Sequence, residues 1–231
     1  KRALIPFKPS GKILLIGEGD FSFASSIVIT GLSYDVVATS FDSEKQVLEK
    51  YPETVSKCLS TLGINLDSLK ADNKKRKFED LKSAEIEEKR RFDCVMFNYP
   101  HTGKGITDQD RNVLDNQKML MGVFESVKYV LRYEEEEDED DAKLNFKFEN
   151  ENVRPRGVFA VTLFDSMPYT LWNIKTLAKN SGYRLVRSGP FEWDAFPGYA
   201  HKKTKGLGDT NKRAETRNAR VHVFEMVEKY D

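Results

Sequence analysis

Directly after the apolar run Leu14–Ile16, the residues Gly17-Glu18-Gly19-Asp20-Phe21-Ser22 put two glycines and two carboxylates into one short turn. Glycines permit a sharp bend and let a ligand approach the main chain closely. A G-x-G-x-x-small frame after a strand is also the frame of a dinucleotide-binding turn. Such turns hold pyrophosphate at a helix N-terminus and usually carry a third glycine or alanine. Here Ser22 takes that place, and Glu18 and Asp20 would repel a pyrophosphate. The same carboxylates would favour a sulfonium or an ammonium. The turn, residues Gly17 to Ser22, therefore points toward S-adenosylmethionine, with an NAD-linked oxidoreductase as the alternative.

Two further groups fit a nucleoside-bearing cofactor. Asp42 follows the second strand-like run, where a carboxylate can accept hydrogen bonds from both ribose hydroxyls. That contact does not separate NAD from S-adenosylmethionine. The competing role is a helix N-cap, and both roles hold if the cap is Ser43. The stretch "FNYPH", 97–101, ends another strand on an amide and a rigid turn. In doubly wound folds ligands bind at that edge. Asn98 offers donors and acceptors to a planar base, and Pro100 fixes the local backbone.

A third region carries cations among aromatics. Phe196, Tyr199, His201, Lys202, Lys203 and Lys205 fall within ten residues, with Lys212, Arg213, Arg217 and Arg220 following. Aromatic rings can stack on bases while cations hold phosphates. These residues are read as RNA contacts. The competing reading is a solvated loop with Trp193 and Phe196 in the core.

Strand-length apolar runs alternate with segments of helical period. Strands are expected at Ile13–Ile16, Val36–Ser40, Phe92–Phe97, Val158–Phe164, Tyr183–Arg187 and Val221–Val227. Helices are expected near 21–30, over the segment opening at Asp42 (divided or kinked at Pro52), at 110–133, and over "PYTLWNIKTLAKNSG" up to Gly182. In the helix at 110–133, Val113, Leu114, Leu120, Met121, Phe124, Val127 and Leu131 are assigned to one apolar face. The alternation predicts an α/β fold, a Rossmann-like doubly wound sheet that is mainly parallel. The last two strands lack the helical crossover a parallel pair needs, so the last strand is expected to be antiparallel.

At 231 residues and 39% hydrophobic the chain fits one domain, 1–231, interrupted by an acidic loop at about 133–152. Residues 134–141 read EEEEDEDD. Outside that run, 37 basic residues face the 37 acidic residues less these eight, a net charge of +8. The body is therefore more cationic than the overall neutrality implies, which suits a polyanionic partner. No apolar stretch reaches membrane-spanning length. The opening Lys1-Arg2-Ala3 reads as a trimmed start. Cys58 and Cys94 form no metal spacing, and no metal is expected. Cys94 and Trp172 are assigned to the core, and His222, within the last strand, is assigned a structural role.

With these signals together the chain resembles class I S-adenosylmethionine-dependent methyltransferases. More narrowly, it resembles the eukaryotic 25S ribosomal RNA uridine-N3 methyltransferases. The match is carried by "LLIGEGDFSF", "ATSFDSE", "FDCVMFNYPHTGKG", "GVFAVTLFDSMPYTLWNI" and "FPGYAHKKTKG", spread over nearly the whole chain. The resemblance implies methyl transfer to N3 of a uridine in large-subunit rRNA or the pre-ribosome, by a nucleolar, nuclear enzyme expected to be monomeric. It places Gly17 to Asp20 along the methionine part of the cofactor, Asp42 on the ribose and Asp67 near the adenine. Asn98 and Pro100 then sit where methyl group and base meet. His101 and Asp165 are the candidate bases for removing the N3 proton. A non-catalytic RNA-binding module is the remaining alternative.

Overall fold

Alternation along single strands sorts this chain's apolar residues onto two faces of one sheet. In β1 (Lys12–Ile16), Ile13 and Leu15 point to one side. In β3 (Cys94–Asn98), Cys94 and Met96 join that side, whereas Val95 points to the other. In β4 (Val158–Phe164), Ala160 and Phe164 share the first face, with Phe159, Val161 and Leu163 on the second. Both faces are apolar, so both must be covered.

The computed structural model describes residues 3–61, 91–132, 157–202 and 217–227. The remaining elements are α1 (Ser22–Ile29), β2 (Asp35–Ala38), α2 (Glu44–Lys50), α3 (Pro52–Thr61), α4 (Gln109–Val127), a 3-10 turn (Tyr169–Trp172), α5 (Ile174–Asn180), β5 (Tyr183–Pro190), a second 3-10 turn (Trp193–Ala195) and β6 (Ala219–Met226). The sheet order is β2-β1-β3-β4-β6-β5. β2, β1, β3 and β4 are parallel, and β6 inserts antiparallel between β4 and β5. The mainly parallel sheet with an antiparallel last strand is as the sequence predicts.

Helix α1 covers the first face with Phe23 and Ile27, and Phe191 and Phe196 pack beside it. Helix α4 covers the second with Leu120, Phe124 and Val127, joined by Trp172 and Leu177. Trp172 and Cys94 are fully buried, as assigned.

Two helical expectations need correction. Leu114 and Met121 are not on the buried face of α4, being 51% and 44% exposed. The seven apolar positions span more arc than one sheet contact covers. Of the seven, Leu120, Phe124 and Val127 are the buried positions of α4, Val113 packs against their cluster, and Leu131 is buried beyond the helix end, in a bridge with Phe92. The expected helix over 168–182 is two pieces, because Asn173 takes a left-handed backbone (φ 49°) between the 3-10 turn and α5. Gly182 does close it, at φ 81°. Pro52 begins α3, so the helical segment after Asp42 is divided there. The acidic loop lies outside the described residues, as do Asp67, Lys203 and Lys205.

Candidate functional site

The four parallel strands run in one direction, so their carboxyl ends share one edge of the sheet. Register fixes the neighbours there. Leu15 pairs with Ala38, Ile16 with Phe97, and Asn98 with Thr162. The residues that follow are Asp42 after β2, the glycine turn after β1, the Asn98 corner of β3, and Asp165 after β4. The order β2-β1-β3-β4 places the glycine turn between Asp42 and Asn98.

The turn is held tightly. Gly17 adopts φ 70°, and a Cβ there would lie 2.9 Å from the Phe97 ring, so only glycine fits between the paired strands. The Glu18 N–H donates to the Thr39 carbonyl at 2.7 Å, tying the turn to the end of β2. Phe21 is also left-handed, at φ 60°, and α1 starts at Ser22.

The two carboxylates of the turn have different surroundings. Asp20 is buried, and its Oδ1 accepts from Ser22 N at 3.1 Å and Ser22 Oγ at 2.7 Å. Its Oδ2 lies 3.0 Å from Lys202 Nζ, a buried ion pair. Lys202 also donates to Thr54 Oγ1 at 2.8 Å and lies over the Tyr51 ring. Burial pushes the Tyr51 hydroxyl up to about 12, with Asp20 and Asp42 adding to the shift. Glu18 is equally buried, but among the described residues no cation pairs with it. The Ala24 N–H, at 3.4 Å, is a weak donor to its Oε2. Burial, then the neighbouring Asp20, pushes its carboxyl from the usual range up to about 8. A cation placed beside a carboxyl in that state favours its ionised form. That fits the ammonium and sulfonium of S-adenosylmethionine and not a pyrophosphate.

Asp42 is not the helix cap. Ser43 is, with a reciprocal capping box to Gln46, which leaves the Asp42 carboxylate for another partner. It is held by Lys50 Nζ at 2.8 and 2.7 Å. Beside it Phe41 is 99% exposed, an isolated ring at this sheet edge that the sequence reading passed over.

At the β3 corner, Asn98 Oδ1 accepts from Thr162 Oγ1 at 2.6 Å. This directs the amide nitrogen of Asn98 away from β4 as a donor. Tyr99 follows with a left-handed backbone, φ 50°, and its N–H donates to the Thr162 carbonyl at 2.9 Å. Its ring stacks on Phe164 at 4.4 Å and lies 4.4 Å from His201. Its hydroxyl is buried without a hydrogen-bond partner among the described residues, and burial drives it well above the usual phenol range. Pro100 is buried behind it. Neither Thr162 nor Tyr99 was singled out from the sequence, although a lone Thr within "VFAVTLF" was a readable signal of a buried polar role.

The candidate bases are exposed at the same edge. His101 Nδ1 accepts from the Gly103 N–H at 2.7 Å, which engages that lone pair. Asp165 is held by Arg220 Nε at 3.4 Å.

The segment read as an RNA handle is largely a wall of this site. Phe196 is 3% exposed, packed on Phe23 and stacked on Phe191 at 5.2 Å, so its ring is core and is not presented to bases. Tyr199 lies between Phe23 and Trp193. His201 packs on Tyr99 and Phe164, and burial, with Arg217 nearby, pushes it down to about 4, so it is neutral near pH 7. Lys202 points inward to Asp20. The aromatic spacing of this segment reflects packing on α1 and the β3 corner. Arg217, whose guanidinium lies 3.9 Å over Phe164, is an exposed cation on this face. His222 is buried in β6, in contact distance of Ser188 Oγ at 3.3 Å, the structural position assigned to it. Among the described residues no cluster of His, Cys, Asp or Glu is arranged to hold a metal ion, and no helix is long and apolar enough to cross a membrane.

The chain is 32% identical to the Saccharomyces cerevisiae 25S rRNA (uridine(2634)-N(3))-methyltransferase, covering 96% of this chain and 74% of that protein. An uncharacterized Arabidopsis thaliana protein is 28% identical, over 87% of this chain and 85% of its own length. Among solved structures, the B. subtilis M1A22 tRNA methyltransferase aligns with 95% of this chain and 62% of its own, at 10% identity and a TM-score of 0.46. The family model described as BMT5-like, rRNA (uridine-N3-)-methyltransferase BTM5-like, matches residues 14–203, so the chain belongs to that methyltransferase family.

Proposed function

We propose that this chain methylates N3 of a uridine in large-subunit ribosomal RNA, using S-adenosylmethionine, at the edge shared by the glycine turn, Asp42 and the Asn98 corner. The observation that carries the reading is the buried Glu18 carboxyl, without a cation among the described residues, one strand away from the Asn98 amide. Family membership supports it, as does the Saccharomyces cerevisiae relative. Gly17 to Asp20 hold the methionine part, Asp42 the ribose hydroxyls, and the exposed Phe41 ring the adenine. The group bound there supplies an electrophilic methyl.

Uridine N3 carries a proton, and its lone pair is delocalised into two carbonyls. The N3–H bond must break for the N3–methyl bond to form. The charge left on the ring is shared by the flanking oxygens. Asn98 Nδ2, turned away from β4 by the Thr162 hydrogen bond, donates to one of those oxygens and stabilises the anion. Tyr99 and Pro100 hold the corner rigid, which keeps N3 in line. Positioning of this kind supplies roughly 7–11 kcal/mol. His101 and Asp165, exposed at the same edge, are the groups to which the proton can pass. A nucleolar site of action and a ribosomal precursor as partner follow from the substrate.

The test has two parts. Calorimetry with S-adenosylhomocysteine and with NAD identifies the cofactor. Nucleoside analysis of a uridine-bearing rRNA fragment after incubation with S-adenosylmethionine identifies the product. The expected result is binding of S-adenosylhomocysteine alone and formation of 3-methyluridine, lost in Asn98→Ala. Binding of NAD, or methylation at another atom, would refute the reading.

A further inference from the structure

A cavity of about 250 Å3 opens at the end of β4 and the start of β6, against the 3-10 turn and α5. It lies outside the residues assigned above to cofactor and methyl transfer, apart from Asp165 at its rim. Phe164 joins the two places: it lines the cavity, and its ring stacks on Tyr99, the residue after Asn98. The cavity and the Asn98 corner therefore meet on either side of the Phe164–Tyr99 stack.

The lining has a definite chemistry. Lys175 and Arg220 supply two cations against one carboxylate, Asp165. Asp165 meets Arg220 at Nε, which leaves the terminal guanidinium nitrogens available to a second anion. Beside these lie Asn173 and the Tyr169 ring. Asn173 Oδ1 accepts from Thr176 Oγ1 at 3.0 Å, so its amide nitrogen is the group left to donate. A net positive rim, an amide donor and a ring wall match a nucleotide: phosphate on the cations, a carbonyl-bearing base on Asn173, the base face on Tyr169. The size agrees. The cavity is smaller than the roughly 300–1,000 Å3 of drug-sized ligand sites, and suits one base rather than a duplex groove.

We propose that this cavity is a second RNA subsite, which receives a nucleotide flanking the target uridine and places its phosphate on Lys175 and Arg220. The proposal rests on the RNA substrate proposed above. It adds a reading position the methyl-transfer corner does not have. It also gives the chain beside a uridine at Asn98 an anchor next to the Phe164–Tyr99 stack.

The experiment uses the full chain, a uridine-bearing rRNA fragment and two variants at exposed positions, Lys175→Glu and Asn173→Gly; glycine accepts the left-handed backbone at 173. Binding is followed by fluorescence anisotropy over a range of salt concentrations. Lys175→Glu is expected to weaken RNA binding several-fold and to lower the slope of log K against log salt by about 0.7, one single-strand phosphate contact. Asn173→Gly is expected to weaken binding with the slope unchanged. Both keep the parent's affinity for S-adenosylhomocysteine. An abasic nucleotide beside the target should weaken binding to the parent chain and cause no further loss in Asn173→Gly. Parent-like RNA affinity and salt slope in both variants would overturn the subsite. So would competition by free uridine 5′-monophosphate that Lys175→Glu leaves unchanged. Failure of the parent to methylate, with binding still dependent on Lys175, would instead refute the catalytic reading and leave the subsite standing.

Discussion

The Thr162 hydroxyl donates a 2.6 Å hydrogen bond to Asn98 Oδ1, across a register pair of β3 and β4. That bond decides which end of the Asn98 carboxamide faces the open edge. Thr162 is fully buried, so under the proposed mechanism it acts through Asn98 as a positioning residue. Thr162→Val keeps the volume and removes the donor. It leaves a carbonyl oxygen unsatisfied, at a cost of about 1–3 kcal/mol, and frees the amide to turn. The expected result is a fall in kcat of about 10²-fold, the loss a misplacement near 1 Å produces. Cofactor affinity should stay within experimental error, and Thr162→Ser should recover most of the rate. Equal activity of Thr162→Val and the parent, measured by single-turnover methylation, would remove Asn98 orientation from the mechanism.

The Lys202–Asp20 pair gives a second prediction. Lys202 reaches from the end of the aromatic segment to the glycine turn, and both side chains are nearly buried. Breaking such a pair strands a charge. Lys202→Met is expected to destabilise the fold by about 3–5 kcal/mol, and Asp20→Asn added to it should return most of that loss. Urea unfolding of the two single variants and the double variant measures the coupling. Additive effects would mean that the contact contributes nothing to stability. The salt dependence of RNA binding should not change in Lys202→Met, which separates this internal role from a phosphate contact.

That the glycine turn, Asp42 and the Asn98 corner meet at one edge of the sheet was readable because three independent signals coincide. Gly17 needs a positive φ, Asp42 follows a strand, and Asn98-Tyr99-Pro100 ends one; parallel strands bring all three to one edge. The antiparallel β6 was readable from the missing crossover. Side-chain direction was not. Spacing alone shows Phe196, Tyr199 and Lys202 as an aromatic-cationic run. Only the packing of that run on Phe23 and Asp20 turns it inward. Thr162 was hidden for a related reason: a single hydroxyl in a buried strand acquires meaning only through its partner in the next strand. On α4, periodicity marked too wide a face because it does not record how much of a helix the sheet can reach.

The last prediction concerns Glu18, whose carboxyl burial holds at about 8 against an ordinary value of 4.5. Between these values the folded chain keeps a proton that the unfolded chain has released. Stability therefore declines as pH rises from 4.5 to 8 and levels off above it. Glu18→Gln removes that slope, so it should gain stability relative to the parent at pH 9 and not at pH 4. Binding a cation beside Glu18 requires the ionised form. Cofactor binding below pH 8 should then release a proton, and affinity should climb toward pH 8 by at most about tenfold per pH unit. Glu18→Gln should bind more weakly at pH 8 and show a flatter profile, since the neutral amide has no proton to lose. Titration calorimetry in buffers of different ionisation enthalpy reads the proton release directly. Identical pH profiles for the parent and Glu18→Gln would mean that Glu18 does not face the cofactor's positive charge, and the electrostatic basis for choosing a sulfonium over a pyrophosphate would be lost.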